Sequence, residues 1–203
     1  MRSLRPAARV LDGSAVATNY YHGIHRKPAM KRTSFDTMPC PIARGLERVG
    51  EWWSILILRD AFAGLTRFDA FQKSLGIAPG MLTRRLNALV EAGMLERHRY
   101  SEHPPRDEYR LTARGRDFRP VLLTMLAWGN RHFAPEGASV HIVDAATGVP
   151  ADPILMDRVT GKPIVEPDFI VAPGPAATEA VLQRYANRYP DRQSAQPDRG
   201  ATP

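Results

Sequence analysis

The chain has 203 residues, with 28 Lys and Arg against 21 Asp and Glu, a formal net charge of +7 and a single cysteine. That length suffices for one ordinary domain with extensions. One cysteine excludes an internal disulfide framework and a cysteine-cluster zinc site, and no apolar run approaches the length of a membrane span, so a cytoplasmic chain without cofactor or metal is expected.

The charge is unevenly spread. Residues 1–34 carry 7 cations against 1 anion, residues 35–135 carry 15 against 11, and residues 136–203 carry 6 against 9. A positive surface raises affinity for phosphate backbone whatever the base sequence. Residues 1–34 lack sustained periodicity and are read as a disordered basic tail. Met30 is an alternative start that would leave the preceding 29 residues outside the protein, and a DNA-touching arm is the rival reading.

Four helices are expected next. Pro41 to Val49 places Ile42, Leu46 and Val49 on one face. Trp52 to Ala63 is dense in apolar residues and is expected to be largely buried. Phe68 to Leu75 repeats Phe68, Phe71 and Leu75 at helical spacing, and Gly76 marks a turn. Pro79 suits the first position of a helix running to Ala92, where its missing N–H has no intrahelical partner anyway. Leu82, Leu86, Leu89 and Val90 form that helix's apolar stripe. Its other face carries Gly80, Met81, Thr83, Arg84 and Asn87, with Arg85 at the edge. Arg and Asn are the residue types that make bidentate contacts to guanine and adenine. Gly93 ends the helix.

A hairpin follows, with strands Met94 to Tyr100 and Asp107 to Leu111 and a loop from Ser101 to Arg106. Pro104 and Pro105 stiffen the tip. His103 and Arg106 on this wing, and Arg67 before the third helix, are the candidates for phosphate or minor-groove contact. A solvated arginine is the bland alternative for each. Helix, turn, helix and wing in this order present an α-helix to the major groove.

Thr112 can cap a long helix through His132. Pro120 either kinks it or marks a late start. Phe118, Val121, Leu122, Met125, Leu126 and Trp128 cover much of its circumference, which calls for a second covering surface, either a partner subunit or the C-terminal extension. Residues 136–175 contain an internal echo: Val143 to Pro150 matches Met156 to Pro163 after a shift of thirteen residues, with Asp, Thr, Gly and Pro in register. Two similar turns between short strands are expected, forming a hairpin-like extension. Ala176 to Tyr189 reads as a last helix and residues 190–203 as a disordered tail. The fold class is therefore mainly α with a small β wing (α+β), a winged helix-turn-helix domain with a short β-rich C-terminal extension.

Several motifs in fixed order resemble the HxlR-type winged-helix transcriptional regulators, a branch of the MarR-like superfamily. They are Cys40-Pro-Ile-Ala-Arg44, Gly50-Glu-Trp-Trp-Ser-Ile-Leu-Ile-Leu-Arg-Asp60, Arg67-Phe-Asp-Ala-Phe71, Met81-Leu-Thr-Arg-Arg-Leu86, Pro104-Pro-Arg-Asp-Glu-Tyr109 and Leu111-Thr-Ala-Arg-Gly115. The resemblance spans about residues 30–135. It implies a homodimer joined through the first helix and the long helix after the wing, bound to an inverted-repeat operator in double-stranded DNA. The paired Thr-Gly turns resemble a zinc ribbon that has lost its cysteines, so no metal is expected there.

Cys40 would cap the first helix. Unpaired N–H groups and the helix dipole favour a thiolate there, with Arg44 one turn on. Some relatives sense oxidants or electrophiles at this position, which makes a redox-sensing repressor the alternative function; a small buried apolar residue is the plain reading. Trp52, Trp53, Phe62 and Trp128 form either core or the wall of an effector pocket. An enzyme is not expected: His98, His103, His132 and His141 share no metal or triad spacing, and no phosphate loop is present. An interaction module that has stopped binding DNA is the remaining alternative, opposed by Arg84, Asn87 and Arg106.

Overall fold

The computed structural model describes residues 34–186, and the expectations for residues 1–33 and 187–203 lie outside that range. Helices α1 (Pro41–Val49), α2 (Trp52–Phe62), α3 (Phe68–Leu75) and α4 (Pro79–Glu91) are followed by the antiparallel pair β1 (Leu95–Glu102) and β2 (Pro105–Leu111). Then come α5 (Ala113–Asp117), α6 (Arg119–Phe133) and α7 (Glu179–Ala186). The fold is mainly α with a two-stranded wing.

The core forms where the apolar stripes of α2, α3 and α4 meet the base of the wing. Ile57, Leu58, Phe71, Leu82, Leu86, Leu89 and Leu95 are fully buried. Each such side chain contributes roughly 1.5–3 kcal/mol by leaving water. Gly76 caps α3 in the left-handed region at φ 61°, and Gly93 follows α4 at φ 68°, both conformations that disfavour a Cβ. The tight turn at Gly76 sets the direction in which α4 leaves α3. Gly115 has a different role. A Cβ at this buried position would be driven into the Met94 carbonyl oxygen, so only glycine lets α5 lie against the end of α4 and the start of the wing.

Four expectations are corrected. The wing strands run further than the alternation indicates: Ser101 pairs with Arg106 and Glu102 with Pro105, leaving His103 and Pro104 as the turn. Ser101 Oγ donates to the Pro104 carbonyl at 3.0 Å and tightens it. A proline at the first position of a strand with one free edge is tolerated. Second, the span from Thr112 is two helices, Pro120 marking the late start that is one of its two expected effects. Thr112 Oγ1 accepts from Gly115 N at 3.0 Å and caps α5, and α6 starts again after Phe118 because Pro120 lacks an N–H but suits a first turn.

Third, α2 is largely buried as expected, but its first tryptophan is not: only Trp52 and Arg59 are exposed, and the rest of the helix is buried or half-buried. Trp52 is 75% exposed, whereas Ser54 and Asp60 lie inside, with Asp60 held by the neighbouring Arg59 at 2.8 Å. On α1 only Val49 reaches the core; Ile42 and Leu46 stay exposed. Fourth, α7 starts at Glu179 rather than Ala176. Its first turn hangs on the Thr178 carbonyl, which accepts from Val181 N and Leu182 N.

The internal echo folds twice into one turn. Asp144 Oδ1 accepts from Ala146 N, Thr147 N and Thr147 Oγ1. Asp157 accepts in the same way from Val159 and Thr160. Gly148 and Gly161 close the two loops through N–H donation to the Asp144 and Asp157 carbonyls. The flanking strands reduce to one bridge each, Val143 with Pro150 and Met156 with Pro163. Among the described residues, no helix is long and apolar enough to cross a membrane.

Candidate nucleic-acid interface

Helix α4 is fixed from behind and open in front. Leu82, Leu86 and Leu89 anchor it in the core. Pro79, Gly80, Thr83 and Arg84 are exposed, Asn87 is half-buried, and Met81 turns partly inward to pack against the core. Thr83 Oγ1 donates to the Pro79 carbonyl at 2.9 Å, which orients the hydroxyl and leaves it free to accept. Arg84 makes no ion pair among the described residues. Asn87 Oδ1 accepts from Arg97 on β1, which joins the helix to the wing. A carbonyl oxygen has two lone pairs, so Asn87 keeps one acceptor site and both amide donors.

Arg85 departs from the expectation. Its guanidinium pairs with Glu51 at 3.1 Å and is only 14% exposed. Glu51 is the N-cap residue of α2, so this contact ties α4 to α2 and withdraws Arg85 from the open face. One residue of helical rotation separates the outward Arg84 from the inward Arg85.

The wing sorts its own charges. Arg97 lies 3.9 Å and Arg99 2.6 Å from the Asp107 carboxylate. The hydrogen bond and charge of Asp107 hold the Arg99 guanidinium even more firmly protonated than usual. Arg110 pairs with Glu108. Arg106 has no such partner among the described residues and stays exposed, as does His103 at the turn.

The register shifts between Arg99 and Ser101, which makes Tyr100 the extra residue of a bulge. Bulges re-aim side chains, and Tyr100 lies under the Arg67 guanidinium, 4.8 Å from ring centroid to carbon. Arg67 also bridges Glu108 through its backbone, and Tyr109 N donates to the Thr66 carbonyl at 2.7 Å. The segment before α3 thereby acts as a short third edge of the wing. A cleft of about 470 Å³ lies between the start of α3 and the wing, lined by Phe68, Asp69, Tyr100 and Arg106 among others. Arg67 and Arg106 are thus gathered around Tyr100, while Thr83, Arg84 and Asn87 form a second group on α4. Sequence reasoning passed over Tyr100 and, although it puts Arg97 and Arg99 on one face of the first wing strand, over the contact of Arg97 with Asn87. Strand alternation does not announce a bulge, and nothing in the spacing pairs Asn87 with Arg97.

Cys40 lies apart from both groups. It takes the N-cap position of α1 and is half-buried, beside a cavity of about 380 Å³ formed with residues 171–185. Arg44 lines the same cavity, and its Nε donates to the Met38 carbonyl at 2.8 Å. The four aromatics do not form one cluster. Trp53 packs at the core's edge, Trp52 faces outward, Phe62 lines a groove against α6, and Trp128 meets His132 and Phe133.

Residues 48–137 match the family model described as HxlR-like helix-turn-helix. An uncharacterized helix-turn-helix-type transcriptional regulator of Mycobacterium tuberculosis is 40% identical over 135 residues, which is 66% of this chain and 85% of that protein. The chain belongs to the HxlR-like helix-turn-helix family. A solved Pseudomonas aeruginosa protein described as a candidate transcription factor is 56% identical; the match covers 71% of this chain and 99% of that one, with a TM-score of 0.54. Another crystal structure, also of a candidate transcription factor, is 40% identical over 70% of this chain and 100% of its own, with a TM-score of 0.62. The protein is a transcriptional regulator with a helix-turn-helix fold, and its family is not an enzyme class.

Proposed function

We propose that this regulator is a homodimer that binds an inverted-repeat operator in double-stranded DNA, with α4 in the major groove and the wing on the backbone or minor groove. The observation that carries the reading is the contrast on α4. Arg85 is neutralised by Glu51 while Arg84, one residue away, is exposed and has no ion-pair partner among the described residues, on a helix whose back is locked into the core. A rigid rod with a free arginine and an adjacent amide suits base-edge recognition. In this reading Arg106, Arg67 and His103 supply the phosphate contacts that fix its register.

Protein selected against a pool of random duplexes tests this. The expected product is an inverted repeat whose half-sites lie about one helical turn, roughly 34 Å, apart. Recovery of no common sequence at physiological salt would reject the reading.

Cys40 supports a second reading, an oxidant- or electrophile-responsive regulator. The half-buried thiol at a helix N-cap, open to a cavity, gives a reagent a route to it. Operator affinity measured before and after diamide treatment decides it: a change that disappears in Cys40→Ser supports sensing, and unchanged affinity removes it.

A further inference from the structure

Helix α6 has fifteen residues and buries none of them. Val121, Met125, Trp128 and Phe133 are all exposed on it. The extension that follows is equally bare: Val143, Ile154, Leu155, Met156 and Val159 are exposed, Val159 at 92%. Yet the extension is not loose from the helix. Asn130 Nδ2 donates to the Val140 carbonyl at 2.9 Å, Arg131 pairs with Asp152 at 3.3 Å, and Leu155 shares a shallow apolar hollow with Val121, Met125 and Trp128. Leu155 thus joins the exposed apolar side chains of α6 to the extension, whose own apolar side chains are exposed as well, more than the singly scattered residues normal for a monomer.

We propose that residues 138–171 form half of an intersubunit surface, covered together with α6 by a second copy of this chain. This rests on the dimer reading above and adds to it the part played by the extension. Area argues for it. A half-exposed side chain of this size offers on the order of 100 Å², so the four α6 residues supply about 400 Å². A standard interface buries roughly 800 Å² per partner. The extension makes up the difference. Two similar turns, each held by an aspartate and a threonine, give it a fixed shape without a core of its own, which a surface that must match its copy requires.

The test uses the full chain. Sedimentation across a concentration series gives the dimer dissociation constant for the wild type, Leu155→Glu, Val159→Glu and Trp128→Glu, with circular dichroism as the folding control. Each extension variant is expected to weaken the dimer at least tenfold while remaining folded. A dimer constant within twofold of wild type in both extension variants, alongside dissociation by Trp128→Glu, would overturn the proposal and spare the dimer. A wild type that stays monomeric throughout would remove both. As a second measurement, Val159→Cys in a Cys40→Ser background should lose maleimide reactivity as protein concentration rises. Reactivity that is low and independent of concentration would mean that the chain's own segments cover the surface, and would overturn the proposal.

Discussion

At the scale of single residues, helix periodicity separated the exposed side of α4 from its buried stripe but did not place the boundary between them. Arg84 and Arg85 are adjacent and chemically identical, and their fates are decided by Glu51, which lies 34 positions before Arg85 in the chain and meets it only after folding. The two substitutions should therefore separate. Arg84→Ala is expected to lower affinity for the selected operator by roughly 1–3 kcal/mol and to relax choice at one base pair, with thermal stability unchanged. Arg85→Ala is expected to lower unfolding free energy by about 1–2 kcal/mol in urea denaturation, because it removes a charge-assisted contact that is mostly shielded from water. An Arg85→Ala variant with unaltered stability and Arg84-like loss of selectivity would reverse the assignment. Asn87 is the harder case, since its engagement by Arg97 crosses from helix to wing and no local pattern carries such a contact.

At the scale of elements, α1 to α4 were legible because apolar spacing, a proline at a first turn and glycine stops all act over a few residues. What local signals did not give was decided by pairing and burial. The wing strands lengthened because Ser101 and Glu102 found partners across the turn, and the bulge placed Tyr100 beneath Arg67. Gly115 stood in the sequence as part of a motif, and its reason became visible only with the Met94 carbonyl beside it. Gly115→Ala is expected to lower the melting temperature by several degrees, equivalent to roughly 1–3 kcal/mol, by forcing α5 away from the wing. In the extension, hydrogen bonds from Thr147 and then the Ala146 N–H hold Asp144 below the usual carboxylate range, and hydrogen bonds from Thr160 and then Val159 do the same for Asp157. A folded-state pKa below the unfolded value means that these bonds stabilise the turns above the ordinary carboxylate pKa of about 4, and that this support is lost as pH falls through the lowered folded value. Amide NMR across an acid titration should show Thr147 and Thr160 losing their hydrogen-bonded shifts only below that ordinary range. Loss at or above it would contradict the turn geometry.

At the scale of the whole molecule, the structure has two unlike surfaces. One carries cations with no ion-pair partner among the described residues, Arg84 and Arg106, on elements packed on the core. The other exposes the apolar length of α6 and the extension. Such a division suits a protein that grips a polyanion with one side and its own copy with the other. Binding to phosphates releases counterions, so log affinity should fall linearly with log salt by about 0.9 per phosphate contacted, and Arg106→Ala should flatten that slope by about one. A slope unchanged by Arg106→Ala would take the wing residue off the backbone.

The central claim is that the outward face of α4 reads base sequence, and one measurement reaches it most directly. Operator duplexes bearing every single base-pair change are titrated by fluorescence anisotropy at fixed salt against the wild type and against Thr83→Ala, Arg84→Ala and Asn87→Ala. The account predicts that each variant loses discrimination at its own position while non-specific affinity holds. Three variants that rank the whole set of duplexes as the wild type does would contradict it.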